Sequence, residues 1–185
     1  MNQPSQIKLE IPVPSLVLLI GASGAGKSTF AARHFSPTEI ISSDQCRAMI
    51  CDDESNQDVN AEAFGLLHHI ARLRLANRLL TVIDATNLQF HARRPLLRMA
   101  RAHLVPVVAI VFNIALETCL KQNQSRRQRF VNENVIQQQR QLLDSQILGF
   151  NREGYARIYE ISETELNRLV VVKLRKPASE KTGEN

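Results

Sequence analysis

The sequence predicts an α/β fold in which a central parallel sheet is flanked by helices. Apolar runs of strand length alternate with segments of helical periodicity along the 185 residues. Residues 63–73 repeat apolar side chains at three- and four-residue spacing, which gives one wide apolar face for packing on a sheet. This length and a hydrophobic content of 44% fit one globular domain with a proper core.

Taken in order, the elements begin with a short edge strand, because residues 7–11 alternate apolar with polar side chains until Pro12 and Pro14 interrupt them. The main strands are expected at 16–20, 39–42, 80–84 and 105–112, with a last strand within either 156–161 or 169–172. Further helices are expected at 91–102, 116–122 and 132–148, the last polar enough to lie mostly in solvent. The predicted domain spans residues 1–175, and residues 176–185 form a disordered tail.

The composition indicates which kind of partner the protein binds and where in the cell we expect it. A formal net charge of +5 favours an anionic partner such as nucleic acid, although ATP alone can account for a local basic cluster. No apolar stretch approaches the roughly 18 residues that cross a bilayer, and no signal sequence is evident, so we expect a cytoplasmic protein without a membrane partner. The three cysteines show no C-x-x-C spacing, which argues against a disulfide framework or a zinc site.

The segment G-A-S-G-A-G-K-S follows the first main strand and matches the phosphate-binding loop at every fixed position. In such a loop successive N–H groups face the β-phosphate, Lys27 bridges the β- and γ-phosphates, and the Ser28 hydroxyl ligates Mg²⁺. A helix opening near Thr29 adds its N-terminal dipole to the anion site. The sequence therefore predicts an ATP and Mg²⁺ site that includes Gly21, Ala22, Ser23, Gly24, Ala25, Gly26, Lys27, Ser28 and Thr29.

Asp44 follows the second main strand, so it should emerge at the carboxyl edge of the sheet, where doubly wound folds bind ligands. A carboxylate there can accept the proton of an alcohol that attacks the γ-phosphate, and Arg47 would share its helical face. The alternative is that Asp44 caps the next helix, for which Ser42 or Ser43 would serve equally well. The residues by themselves leave the two interpretations open.

Asp84 ends the third main strand, the usual place for a Walker B carboxylate near Mg²⁺. It is therefore a candidate for the metal shell, or else an ordinary turn residue at a strand end. Farther along, the segment K-Q-N-Q-S-R-R-Q-R contains no acid and has the composition of a basic lid. Its arginines, among them Arg126 and Arg129, can pair with phosphate oxygens, whereas the alternative is a plain solvated basic surface.

Four segments occur in order: the phosphate loop, T-E-I-I-S-S-D-Q-C-R, D-D-E-S-N-Q and L-T-V-I-D-A-T-N. Together they resemble the kinase domain of bacterial polynucleotide kinase-phosphatases, and the likeness covers nearly the whole chain. The resemblance implies a P-loop phosphotransferase fold with an arginine-bearing lid, and transfer of the ATP γ-phosphate to 5′-hydroxyl ends of RNA or DNA. It also implies that Lys27, Asp44 and Arg126 are catalytic, that Arg47 neighbours the base on the acceptor side, and that Arg129 helps to hold the triphosphate.

The resemblance has two departures. Gln122 stands where the family pattern carries a first lid arginine, and the neighbouring Lys121 cannot reproduce a two-pronged guanidinium contact. The length has no room for the family's phosphatase and ligase-like modules, so the kinase either stands alone or is an excised domain. If it stands alone, separate proteins would supply those steps. The resemblance also allows a homodimer. Two other functions stay open: a small-metabolite kinase, since gluconate, shikimate and adenylylsulfate kinases share these parts, and a non-catalytic ATP-binding switch.

Overall fold

The computed structural model describes residues 7–125, 130–166 and 168–175. Its strands are β1 (Ile7–Val13), β2 (Leu16–Ile20), β3 (Ile40–Ser42), β4 (Thr81–Asp84), β5 (Val107–Phe112), β6 (Arg157–Ile161) and β7 (Leu169–Arg175). The helices are α1 (Lys27–His34), α2 (Ser43–Cys51), α3 (Asn60–Ala76), α4 (Phe90–Ala102), α5 (Leu116–Gln124) and α6 (Glu133–Gln146). The predicted elements are thus present in the predicted order.

The central sheet has five strands in the order β3-β4-β2-β5-β6, and every neighbouring pair is parallel. All five residues of β2 are buried, and successive side chains face opposite cores because side chains alternate across a strand. One core is completed by apolar residues of α3 and α4, and the other by residues of α1 and α5. The predicted α/β class, a parallel sheet flanked by helices, is confirmed.

The first strand differs from its prediction. The expectation that Pro12 interrupts it is wrong, because β1 continues through Pro12 to Val13, whereas the strand does end before Pro14 as expected. It pairs in parallel with β7 in a separate two-stranded sheet. A proline is tolerated there because β1 has a hydrogen-bonded neighbour on one side, and an edge strand can spare an N–H. Both candidates for the last strand form, since β6 extends the central sheet while β7 pairs with β1.

Tyr159 of β6 connects the two sheets. Its hydroxyl accepts a hydrogen bond from the backbone N–H of Glu10 and donates one to the Glu10 carbonyl, both at 3.0 Å. Arg157 also reaches Glu10, through an exposed ion pair of 2.7 Å. The buried residues Leu9 and Ile11 of β1 belong to the same core as alternate residues of β2. The small sheet therefore packs on one face of the central sheet.

Helix α6 lies mostly in solvent, as predicted, since eight of its fourteen residues are exposed. Its remaining face packs on the protein through Ile136 and Leu143, which are fully buried. The predicted lid residues Arg126 and Arg129, like the predicted tail 176–185, lie outside the described residues. None of the helices in the described ranges combines the length and the apolar character that crossing a membrane requires.

Candidate active site

The phosphate loop joins β2 to α1 and depends on glycine at two positions. Gly24 and Gly26 have φ values of 81° and 87°, which residues with a side chain rarely adopt. A Cβ atom on Gly24 would lie 2.2 Å from the carbonyl oxygen of Cys119, so this part of the loop lies directly against α5. Gly26 is the left-handed N-cap of α1. The local sequence therefore produces the curled backbone that the motif predicts.

Lys27, the first residue of α1, is buried and folds back over the loop. Its Nζ donates hydrogen bonds to the carbonyl oxygens of Gly21 at 2.9 Å and Ala22 at 2.7 Å. The loop is further anchored where the Gly21 N–H donates to the Thr86 carbonyl at 3.0 Å. An ammonium group is thus fixed beside the loop, where it can neutralise phosphate charge.

Gln139 of α6 contacts the loop directly. Its Oε1 accepts a hydrogen bond from the backbone N–H of Ser23 at 2.7 Å. Backbone N–H groups of a phosphate loop are anion donors, and here one of them is satisfied by an amide oxygen. Sequence reasoning missed this residue, because it is one of three successive glutamines and nothing in the pattern distinguishes it.

Asp44 lies in the first turn of α2, and the capping alternative for it is wrong. Ser42 is the N-cap, with its hydroxyl accepting hydrogen bonds from the backbone N–H groups of Asp44 at 3.2 Å and Gln45 at 3.5 Å. The Asp44 carboxylate instead accepts a hydrogen bond from the Ser43 hydroxyl at 3.2 Å and forms an ion pair with Arg47. With a quarter of its side-chain surface exposed (25%), it can still reach a ligand.

Arg47 is only 3% exposed and is held on several sides. Besides its ion pair with Asp44, its Nε donates to the Glu54 carbonyl at 2.8 Å and its Nη1 to Oδ1 of Asn60 at 2.7 Å. Burial lowers the pKa of the Arg47 guanidinium, but a guanidinium stays charged in proteins. Arg47 therefore ties the Asp44 carboxylate to the start of α3, as the predicted shared helical face allows.

Asp84 is buried at the end of β4, which lies between β3 and β2 in the sheet. It is in register with Ser42 on one side and Leu19 on the other. The strand end that carries Asp84 therefore adjoins both the strand before α2 and the strand before the phosphate loop. This matches the sheet-edge placement that the sequence predicts.

The loop after β4 is fixed by a buried arginine that sequence reasoning missed. Arg93 of α4 is fully buried, and its Nη1 donates to the carbonyl oxygens of Asn87 at 2.8 Å and Leu88 at 2.6 Å. Its Nε donates to Glu153 at 2.8 Å, and the two side chains form an ion pair. Tyr155 donates to the same carboxylate at 2.9 Å, and burial raises the pKa of its hydroxyl.

These parts meet in one cavity of about 510 Å³. Its walls include six of the predicted site residues, namely Ser23, Lys27, Ser28, Asp44, Arg47 and Asp84. A smaller cavity of about 140 Å³ is lined by Gly26 and Thr29 together with Arg33 and Gln122. Ala22 and Ala25 are buried in the core, so they contribute backbone only.

The cavity that contains Asp44 has the ligand groups that a magnesium nucleotide requires. The Ser28 hydroxyl and the Asp84 carboxylate are oxygen ligands of the kind that Mg²⁺ prefers. Lys27 supplies a fixed positive charge, and α1 begins next to the loop. These groups therefore fit ATP with Mg²⁺.

A family model described as an AAA domain matches residues 16–145. The chain belongs to this AAA domain family. This AAA domain has the P-loop kinase fold, in which ATP is bound at the phosphate loop. No protein with a curated description matches the sequence.

Several solved structures resemble this AAA domain. A chain of the Pnkp1/Rnl/Hen1 RNA repair complex is 22% identical, with a TM-score of 0.65, and the match covers 80% of this chain and 48% of that one. AvrRxo1-ORF1:-ORF2 with ATP is 14% identical, with a TM-score of 0.57, and the match covers 75% of this chain and 50% of that one. Shikimate kinase from Acinetobacter baumannii in complex with shikimate is 17% identical, with a TM-score of 0.50, and the match covers 83% of this chain and 87% of that one.

At these identities the similarities show the fold alone. This AAA domain spans about half the length of the repair-complex chains it matches, 48% and 43%. Both a nucleic-acid repair protein and a small-molecule kinase are among the similar structures, so the fold leaves the acceptor undecided.

Proposed function

We propose that this protein is an ATP-dependent polynucleotide 5′-hydroxyl kinase that phosphorylates 5′-OH ends of RNA or DNA. The observation that carries the proposal is the placement of the Asp44 carboxylate in the same cavity as Lys27 and Ser28. A base and a triphosphate site that share one cavity are the two parts that transfer to an alcohol needs.

In the proposed reaction the 5′-hydroxyl oxygen attacks the γ-phosphorus, and the bond from the γ-phosphorus to the β,γ-bridging oxygen breaks. Asp44 accepts the hydroxyl proton, and ADP leaves. Lys27 contacts the β- and γ-phosphates, while Ser28 and Asp84 hold Mg²⁺. When bound, the metal neutralises charge on the phosphate oxygens.

Arginines complete the proposed site in two ways. Arg47 positions the Asp44 carboxylate through their ion pair, and it lines the acceptor side of the cavity. Arg126 and Arg129 follow α5, which contacts the phosphate loop at Gly24. We assign these two arginines to the triphosphate, because guanidinium groups pair with phosphate oxygens and stabilise charge during transfer.

Two observations favour a polynucleotide acceptor over a small metabolite. Four ordered segments resemble polynucleotide kinases, and the net charge is +5. Because one of the structures that share the fold is a chain of an RNA repair complex, separate phosphatase and ligase partners for this protein are part of the proposal. A homodimer is the other assembly that we propose to test.

The test is transfer of a γ-labelled phosphate from ATP, with Mg²⁺, to short RNA and DNA strands that end in a 5′-hydroxyl. A strand of the same sequence with a 5′-phosphate is the matched control. We expect label on the 5′-hydroxyl strands alone.

Two outcomes would contradict the proposal. Label on gluconate, shikimate or adenylylsulfate, with none on the oligonucleotides, would establish the small-metabolite kinase. Binding of ATP without label on any acceptor would favour the non-catalytic switch.

A further inference from the structure

A second cavity of about 560 Å³ adjoins the one that contains Asp44. The two cavities share Asn60, Phe64, Thr86 and Gln139 in their walls, so they are adjacent. The far part of the second cavity lies between α3 and the start of α4. Its volume is within the range of about 300–1,000 Å³ that small-molecule sites occupy.

The lining of this second cavity contains few ionisable groups. No aspartate, glutamate, lysine or arginine contributes to it among the described residues, and its two histidines are His68 and His91. Because the wall provides no permanent cation, it favours an uncharged group over anionic acceptors such as phosphorylated sugars or carboxylates.

The lining is also aromatic and has polar edges. The rings of Phe64 and His68 lie 6.4 Å apart between centroids, and apolar carbons of Leu88 and Leu142 face the same space. Asn60 and Gln139 offer amide groups. Such walls suit flat heterocycles with hydrogen-bonding edges. Nucleobases are ligands of this kind, because every base has a π-face and polar edge atoms.

His68 adds a second, independent observation. Its Nε2 is buried without a hydrogen-bond partner among the described residues, although buried polar atoms are normally satisfied. Burial lowers the pKa of the His68 imidazole, which favours the uncharged ring. An uncharged imidazole in the cavity wall can stack on a base.

We propose that the second cavity holds a nucleobase of the acceptor strand, from one of the two nucleotides nearest the reacting 5′ end. This inference rests on the proposed polynucleotide kinase function. Because the two cavities are adjacent, the 5′-hydroxyl can lie at Asp44 while a base of the same strand lies against His68. The base would thereby orient the strand end for transfer.

The experiment uses the fluorescent base 2-aminopurine, which stacking quenches. The chain has no tryptophan, so the probe has little background. It is placed at the first, second or fifth nucleotide of a 5′-hydroxyl strand, and each strand is titrated with protein and a non-hydrolysable ATP analogue. We expect quenching at the first or second position and none at the fifth.

Three variants test whether the quenching arises in the second cavity. His68→Ala should abolish it and raise the KM for the strand about ten-fold, the size of one base-stacking contact, with the KM for ATP unchanged. His68→Phe should retain it, and His69→Ala is the matched control on an exposed neighbouring position. An abasic site at the quenched position should reproduce the His68→Ala defect, with no further loss when the two are combined.

Three results would overturn the inference. These are equal quenching at all positions, an unchanged KM for the strand in His68→Ala, or a raised KM for ATP in that variant. If 5′-hydroxyl strands accept label but quench nowhere, this inference fails and the kinase proposal stands. If no strand accepts label, both fail together.

Discussion

At the scale of single residues, the site depends on contacts that join segments far apart in sequence. Asp44 is fixed by Arg47, which is fixed in turn by the start of α3. Ser23 contacts a side chain of α6. The chemistry expected of each group therefore depends on neighbours that its own motif does not contain.

Replacing Asp44 by Asn should reduce turnover by about 10²–10⁴-fold, since the amide cannot accept the hydroxyl proton. The dissociation constant for ATP should stay nearly unchanged, because Lys27 and Ser28 are intact. Label transfer measures the first quantity and equilibrium binding the second. Asp58→Asn, at an exposed position of the loop between α2 and α3, is the matched control. Equal losses of binding and turnover would reject the role of a base.

Gln139→Ala should strengthen ATP binding about five-fold, because the Ser23 N–H is released from a hydrogen bond worth roughly 1 kcal/mol and becomes available to the β-phosphate. ADP, which also carries that phosphate, should gain similarly, whereas AMP should bind as before. Calorimetric titration with the three nucleotides measures the differences. Gln138→Ala, exposed on the same helix, should change none of them. An unchanged affinity for ATP and ADP in Gln139→Ala would show that the β-phosphate does not compete with Gln139.

At the scale of elements, the loop after β4 and the segment after α6 are joined through Arg93 and Glu153. Arg93 lies near the start of α4, and its side chain contacts two loop carbonyls as well as the carboxylate. The positions of Thr86 and Asn87 beside the two larger cavities therefore depend on an ion pair in the interior.

Arg93→Met should lower the free energy of unfolding by about 3–5 kcal/mol, the cost of leaving a buried carboxylate without its partner. Urea denaturation measures the change. Arg94→Met, on the exposed face of α4, should have little effect. Adding Glu153→Gln to the first variant should recover part of the loss. A double variant no more stable than Arg93→Met would contradict the ion-pair explanation.

Sequence patterns were most informative where structure is local. The strand before the phosphate loop, the glycines of that loop and the acids at strand ends are all predictable, because strand burial and phosphate binding each demand particular residues at close spacing. Gln139, Arg93 and the second cavity were not predictable. Each depends on packing between distant segments, and a glutamine or an arginine in a helix has no pattern that reveals its tertiary partner.

At the scale of the whole molecule, Tyr159 is one of the residues that join the small sheet to the central one. Tyr159→Phe should lower the free energy of unfolding by about 1–3 kcal/mol, because the Glu10 N–H and carbonyl both lose a partner. Urea denaturation again measures it. Arg157→Ala removes an exposed ion pair to the same residue and should change stability little. Equal effects of the two substitutions would contradict the role given to the tyrosine hydroxyl.

The pairing of β1 with β7 also bears on the order in which the chain folds. Ile7 pairs with Leu169 and Val13 with Arg175, so this pairing closes a loop that contains the whole central sheet. Closing so long a loop costs chain entropy, and contacts between residues distant in sequence slow folding. We therefore expect the small sheet to form last, against a central sheet and phosphate loop that have already assembled.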